Sequence, residues 1–178
     1  RARSKYRYLA TEEYHIDGSE YVSDGVCVSK YNFLSEYANP EDMELVWDID
    51  WTNQRTPVKD FTVADESSYA FILDQPYYDW VKTRDYTHTH PAPGRRFYME
   101  NAMELLDEPG EFYFNKKENM IYYYPFPQED LNNSEVYVGS TEGMFVLEGK
   151  DKTDKISNIV FDNLDIRYGT WLEINERG

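Results

Sequence analysis

Cysteine is almost missing from this chain. Cys27 is the only one among 178 residues, so no disulfide can close within it. The sequence therefore does not separate a cytosolic protein from an exported one that does without bridges. Cations are outnumbered, 18 Lys and Arg against 34 Asp and Glu, for a formal net charge of −16. Nucleic acid and anionic membrane surfaces would both be repelled and are excluded as partners. No apolar run approaches the ~18 residues of a membrane span. No signal peptide opens the chain, which starts Arg1-Ala2-Arg3 rather than with Met. That start reads as a processed product, a proteolytic fragment or an excised piece. Glycine-rich phosphate loops, G-x-S-x-G and H-E-x-x-H are all lacking, so no cofactor is expected.

What the chain has is aromatic side chains. They make up 17% of it, with 17 Tyr, 9 Phe and 4 Trp, and hydrophobic residues in all reach 40%. That is enough for one sizeable core or two small ones, and the chain is not a disordered tail. Tyrosine at this density favours strands, and it favours surfaces that meet sugars or proteins. Cys27, inside the alternation GVCVSKY, reads as a small buried hydrophobe.

Strand patterns dominate. They run over Tyr21–Val28, Glu44–Trp51, Lys59–Val63, Tyr69–Leu73, Glu111–Asn115, Met120–Tyr124, Glu135–Val138 and Met144–Glu148. In Glu44–Trp51, the residues Leu45, Trp47, Ile49 and Trp51 share one face. Glu111–Tyr124 reads as a hairpin that turns at Lys116–Asn119. Helical composition is confined to Tyr98–Leu106 and a short piece at Asn39–Leu45. Asp107-Glu108-Pro109-Gly110 is a turn: proline fixes φ at one position and glycine accepts positive φ at the next.

The C-terminal stretch ISNIVFDNLDIRYGTW differs in kind. Ile159 and Phe161 alternate, Leu164 and Ile166 alternate, and a polar Asp162-Asn163 step lies between them. One coil of a parallel β-helix reads this way, and so does an antiparallel hairpin. A single coil cannot bury its apolar stripe alone, so the first reading implies further coils.

Few residues form a pattern that carries chemistry. Asp48 and Asp50 fall on one strand face, opposite Trp47 and Trp51. Residues i and i+2 of a strand lie about 6.5–7 Å apart, within the reach of the two carboxyls of a glycosidase. Acids on the solvated face of a strand are also ordinary in so acidic a chain. His88-Thr89-His90 would turn two imidazoles the same way in extended backbone, but no third ligand follows and no metal is assigned. Asn132-Asn133-Ser134 is a formal N-glycosylation sequon, weak as a single match.

One run carries a resemblance. It comprises Arg96, Tyr98, Glu100, Asn101, Ala102, Glu104, Leu105, Leu106, Asp107, Glu108, Pro109, Gly110, Glu111 and Tyr113, followed by Ile121–Pro125. Arg1-Ala2-Arg3 precedes it, then Trp51, Thr52, Arg55 and Val58, and the coil from Asn158 to Ile166 follows it. In that order these segments resemble bacterial right-handed parallel β-helix glycoside hydrolases, chiefly glycoside hydrolase family 141. The family 136 lacto-N-biosidases share the general plan.

The resemblance implies a mainly β chain with little helix: a β-sandwich-like inserted subdomain leading into the first coils of a right-handed parallel β-helix. Residues 1–10 would be a strand of an early coil, 11–150 the inserted subdomain and 151–178 an incomplete coil. The chain would be an accessory part of a secreted or surface-displayed carbohydrate-active enzyme, extracellular or periplasmic. Its partners would be an oligo- or polysaccharide and the remaining coils, in the same or a companion chain. Asp162, Asp165 and Glu173 lie in or after the coil, yet the catalytic acids are expected in later coils and none is assigned here. Arg167, Tyr168 and Trp171 would border the substrate groove, or else pack under the subdomain. A carbohydrate-binding β-sandwich without catalysis is the alternative, using exposed Trp51, Trp80, Tyr77 and Tyr78. A surface interaction module is a further one.

Overall fold

The computed structural model describes residues 1–16, 24–31, 33–49, 53–82 and 91–170. Trp51, Asp50, His88, His90, Trp171 and Glu173 lie outside them. The chain is mainly β with antiparallel ladders and little helix, and it divides into a unit over Arg1–Glu129 and a second over Asp130–Glu173.

The first unit is built on β1 (Tyr8–Leu9), β2 (Glu13–Tyr14), β3 (Gly25–Ser29), β4 (Glu44–Trp47), β5 (Arg55–Val63), β6 (Ser68–Leu73) and β7 (Arg96–Glu100). Their order in one sheet is β1-β7-β4-β5-β6-β3-β2. The two ends of that order are successive pieces of one segment. Tyr8 and Leu9 pair with Phe97 and Arg96, and Ala10 continues this edge by donating its N–H to the Arg95 carbonyl at 3.0 Å. Thr11 then donates to the Cys27 carbonyl at 2.9 Å, and Glu13 and Tyr14 pair with Val26 and Gly25. Segment 8–14 thus sews both edges of the sheet together. The opposite corner is β5, whose register against β6 shifts between Val58 and Asp60, a bulge that bends the strand. Closing a sheet on itself removes the free edges that invite unwanted pairing.

The enclosed side chains explain the strand choice. In β4, Leu45, Val46 and Trp47 are all fully buried, because β7 and β5 flank the strand on both sides. The Trp47 indole Nε1–H donates to Thr56 Oγ1 at 2.9 Å, satisfying its one polar atom. Half-buried Phe33 packs into a group of rings, 4.4 Å from Tyr8 and 5.9 Å from Phe61, with Tyr37, Tyr69 and Phe71 around it. Cys27 is buried as expected.

Two helical expectations fail. Tyr98–Leu106 splits into the end of strand β7 and one 3₁₀ turn, Met103–Leu105. Pairing with β4 overrides the local helical preference, and Asn101 at φ 63° breaks the path between the two pieces. Asn39–Leu45 keeps only the 3₁₀ turn Pro40–Asp42 before β4. Among the described residues one α-helix, α1 (Tyr77–Lys82), forms where none was expected. It starts just after Pro76, and Gln75 Oε1 accepts the Asp79 N–H at 3.1 Å.

The hairpin of β8 (Phe112–Asn115) and β9 (Met120–Tyr123) turns at Lys116–Asn119, as read from sequence. Gly110 takes φ 91° after Pro109, and a Cβ there would come within 2.5 Å of the Phe126 ring.

The second unit is unlike the first. The strands expected at Glu135–Val138 and Met144–Glu148 form no ladder, and neither does the stretch from Ile156 to Ile166. The chain instead doubles back so that side chains face side chains. Tyr137 meets Tyr168, Phe145 meets Phe161, and the reversal between is tied by Asp151, whose Oδ1 accepts the N–H groups of Thr153 and Asp154. The isolated bridge from Thr141 to Gly169 is parallel. A hydrogen-bonded parallel β-helix is not formed among the described residues. Apolar side chains stand in solvent along both arms, Val146 at 80% and Val160 at 83% exposure among them.

Candidate functional site

A cluster of buried polar side chains lies where the hairpin meets the sheet. Glu44 and Glu100 stand directly opposite each other on β4 and β7, both buried. Arg55 bridges them, its Nη1 lying 2.9 Å from Glu44 and 2.6 Å from Glu100, and Arg1 reaches Glu44 at 2.8 Å. Burial alone would push the Glu44 carboxyl up, but Arg1 and Arg55 together outweigh it and hold the carboxyl below its ordinary value. Beside them, Asp42 accepts the Tyr113 hydroxyl proton through Oδ2 and the Lys116 N–H through Oδ1. Burial and the Asp42 charge push the Tyr113 phenol up. Asn101 completes the joint. Its Nδ2 donates to the carbonyls of Asp42 and Phe114, each at 2.9 Å, while Oδ1 accepts the Phe114 N–H at 2.8 Å.

Two carboxylates on facing strand positions have a separation that glycosidase chemistry could use. This pair cannot do so. Both acids are buried and engaged by a shared guanidinium. The cluster fastens the hairpin to the sheet. It also explains the E-N-A run of the sequence signature: Glu100 takes Arg55, Asn101 bonds the Pro40–Asp42 turn and β8, and Ala102 is buried. Sequence reading missed the Glu44–Arg55–Glu100 network, because its members lie far apart in the chain.

Of the residues singled out by sequence, Asp48 is described and Asp50 is not. Arg7 Nε bonds both oxygens of Asp48, at 3.0 and 3.2 Å, and the Arg7 guanidinium lies over the Tyr98 ring at 4.2 Å. Asp48 is thus a half-exposed ion-pair partner. Trp80 stands exposed on α1 in edge contact with half-buried Tyr77, ring centroids 5.5 Å apart. Tyr78 is a correction. It is fully buried, not a sugar-facing ring, because the helix turns it into the core beside Val81. Arg167 is exposed and ion-paired with Asp165, and Tyr168 lies flat against Tyr137, a ring that sequence reading did not single out. Among the described residues no group of three His, Cys, Asp or Glu is placed to hold a metal. Burial pushes the Cys27 thiol up, away from nucleophilic use.

The model of the GH141 insertion domain matches residues 20–126, more than half of the chain. The chain belongs to the GH141 insertion domain family. A solved structure named "Glycoside hydrolase" superposes with a TM-score of 0.59 at 21% identity, covering 80% of this chain and 25% of its own. At that identity the likeness speaks for the fold alone. This chain spans a quarter of that protein's length. No curated protein matches. The match takes in β3 to β7 and the whole β8–β9 hairpin but not the closing segment 8–14, so the Arg96–Pro125 signature belongs to an insertion domain.

Proposed function

We propose that this chain is an accessory part of a glycoside hydrolase whose catalytic acids lie outside this chain. The observation that carries the reading is the insertion-domain match over residues 20–126, joined to a sheet whose buried acids are all engaged. In this reading the closed sheet is a sandwich-like subdomain sewn along two corners, and the second unit is one coil of a parallel β-helix. The open arms of that unit favour the coil, since an arch with no ladder of its own is the unit that stacks into solenoids. Residues 1–10 would run from an earlier coil into the sheet. Arg167 and Tyr168, with Trp171, would form one wall of the substrate groove, and an oligo- or polysaccharide would be the ligand. The charge of −16 suits an extracellular, periplasmic or surface location.

The test is turnover by the chain itself. Release of reducing sugar from neutral and acidic polysaccharides should stay at the buffer rate. Hydrolysis that disappears in Asp48→Asn or Asp165→Asn would place the acids here and overturn the accessory reading. A carbohydrate-binding module without catalysis is the second reading. Trp80 favours it, as an exposed tryptophan braced by Tyr77. Glycan binding by the chain that is lost in Trp80→Ala would support it.

A further inference from the structure

The returning arm of the second unit turns through left-handed backbone at intervals of five residues: Asn158 at φ 60°, Asn163 at φ 53° and Tyr168 at φ 63°. Asparagine tolerates that region and can bond to its own backbone there. Tyrosine gains no such bond, and left-handed backbone crowds its Cβ against the following carbonyl oxygen. An asparagine would make the third corner more cheaply, as it does at the first two. The ring is not kept for the core either, since Tyr168 is 52% exposed.

What the ring does is stack. Tyr168 and Tyr137 lie 4.7 Å apart between centroids with planes 10° from parallel, and Tyr137 is 58% exposed. Gly139 allows the approach, because a Cβ there would come within 2.6 Å of the Tyr168 carbonyl oxygen. The Tyr137 hydroxyl donates to the Glu135 carboxylate, and Arg167 next to Tyr168 pairs with Asp165.

We infer that the Tyr137–Tyr168 pair is a stacking platform for a neutral pyranose. The inference rests on the reading of the chain as part of a carbohydrate-active enzyme. The outer face of a phenol matches the apolar C–H face of a sugar ring. The carboxylate of Glu135 and the guanidinium of Arg167 supply an acceptor and donors for sugar hydroxyls beside it. The chain's charge of −16, with Glu135 and Asp165 beside the rings, disfavours an acidic sugar.

Calorimetric titration of the chain with cellohexaose, mannohexaose and xylohexaose, and with trigalacturonate as the acidic comparator, tests this. At least one neutral hexaose should bind more tightly than trigalacturonate. Tyr168→Asn suits the corner and should keep or raise the melting temperature, yet weaken that binding by about tenfold or more. Tyr137→Ala should weaken it similarly, and Tyr168→Phe, which keeps the ring, should retain it. Undiminished binding in Tyr168→Asn and Tyr137→Ala overturns the platform, as does a chain that binds none of the three neutral hexaoses. Loss of binding in Trp80→Ala alone overturns it too and moves the sugar to α1. None of these outcomes touches the accessory-enzyme reading, which stands or falls on turnover.

Discussion

The two units solve the edge problem of β structure in opposite ways. In the first, segment 8–14 pairs with β7 at one end and β3 at the other, so the strands between have two neighbours each and the two ends of the order are successive pieces of one segment. In the second, the two arms meet through side chains such as Phe145 and Phe161, and no described strand there is laddered. Both stretches are rich in alternating apolar residues. The difference lies in what each arm can reach. The first unit brings its own pairing partners from within 130 residues, and its alternation buries one face completely. In the second, the described arms meet each other through side chains, and apolar residues remain exposed along both. Alternation therefore specifies a strand-like conformation, but a ladder needs a second backbone at about 4.8 Å.

The sharpest way to break this contrast is a large-to-small change in each unit. Trp47→Ala removes a fully buried indole and orphans Thr56, and should cost about 3–5 kcal/mol of unfolding free energy. Phe161→Ala, at a ring left 46% exposed, should cost less than about 1 kcal/mol in the same chain. Denaturant unfolding followed by tryptophan fluorescence measures both. Amide exchange should show the same division, with slow amides in β4 and β6 and fast ones along residues 135–148. Equal costs, or protection in the second unit matching that of β4, would mean that its arms are laddered after all.

Next in size is the ion network that holds the hairpin. Arg55→Ala leaves two buried carboxylates facing each other, and should cost about 3 kcal/mol. The pH dependence carries the same information. The folded Glu44 carboxyl sits below its ordinary value of 4.5, so its contribution is fully present above that value. It is lost as pH falls through the lower folded value. Wild-type stability should therefore drop in acid below about pH 4.5, through this group among others. In Arg55→Ala part of that drop should vanish, because one of the two guanidiniums depressing the carboxyl is gone. A variant with the parent's acid profile would mean that Arg55 does not govern Glu44. Melting temperatures from pH 3 to pH 7 decide it.

Much of the first unit was legible in sequence. Glu44–Trp47, Tyr69–Leu73 and the Lys116–Asn119 hairpin follow from alternation and turn chemistry, both of which are local. Tyr98–Leu106 was misread because its composition is helical, while β4 supplies a strand partner that no local window contains. The closure through residues 8–14 was invisible for the same reason. Its two halves are short and unpatterned, and only the distant β7 and β3 define them as strands. Of the candidate site, exposure was expected at Trp80, while Arg167 and Tyr168 were left between a groove wall and packing under the subdomain, and Tyr137 was not singled out. Its part comes from a stacking contact 31 positions away in the chain, which no spacing rule encodes.

The smallest expected effect concerns Asp48, and it sharpens the contrast between buried and exposed acids. Its partner Arg7 keeps 46% of its side chain exposed, against 25% for Arg55, so water screens the pair. Arg7 also gives up little when the carboxylate is lost, because its guanidinium keeps the Tyr98 face. Asp48→Asn should therefore change stability by no more than about 0.5–1 kcal/mol, and less at 0.5 M salt. Thermal unfolding at low and high salt checks this. A cost near that of Arg55→Ala would show that Asp48 is held as firmly as Glu44, and that an ion pair at the rim of this sheet can bind as strongly as one within it.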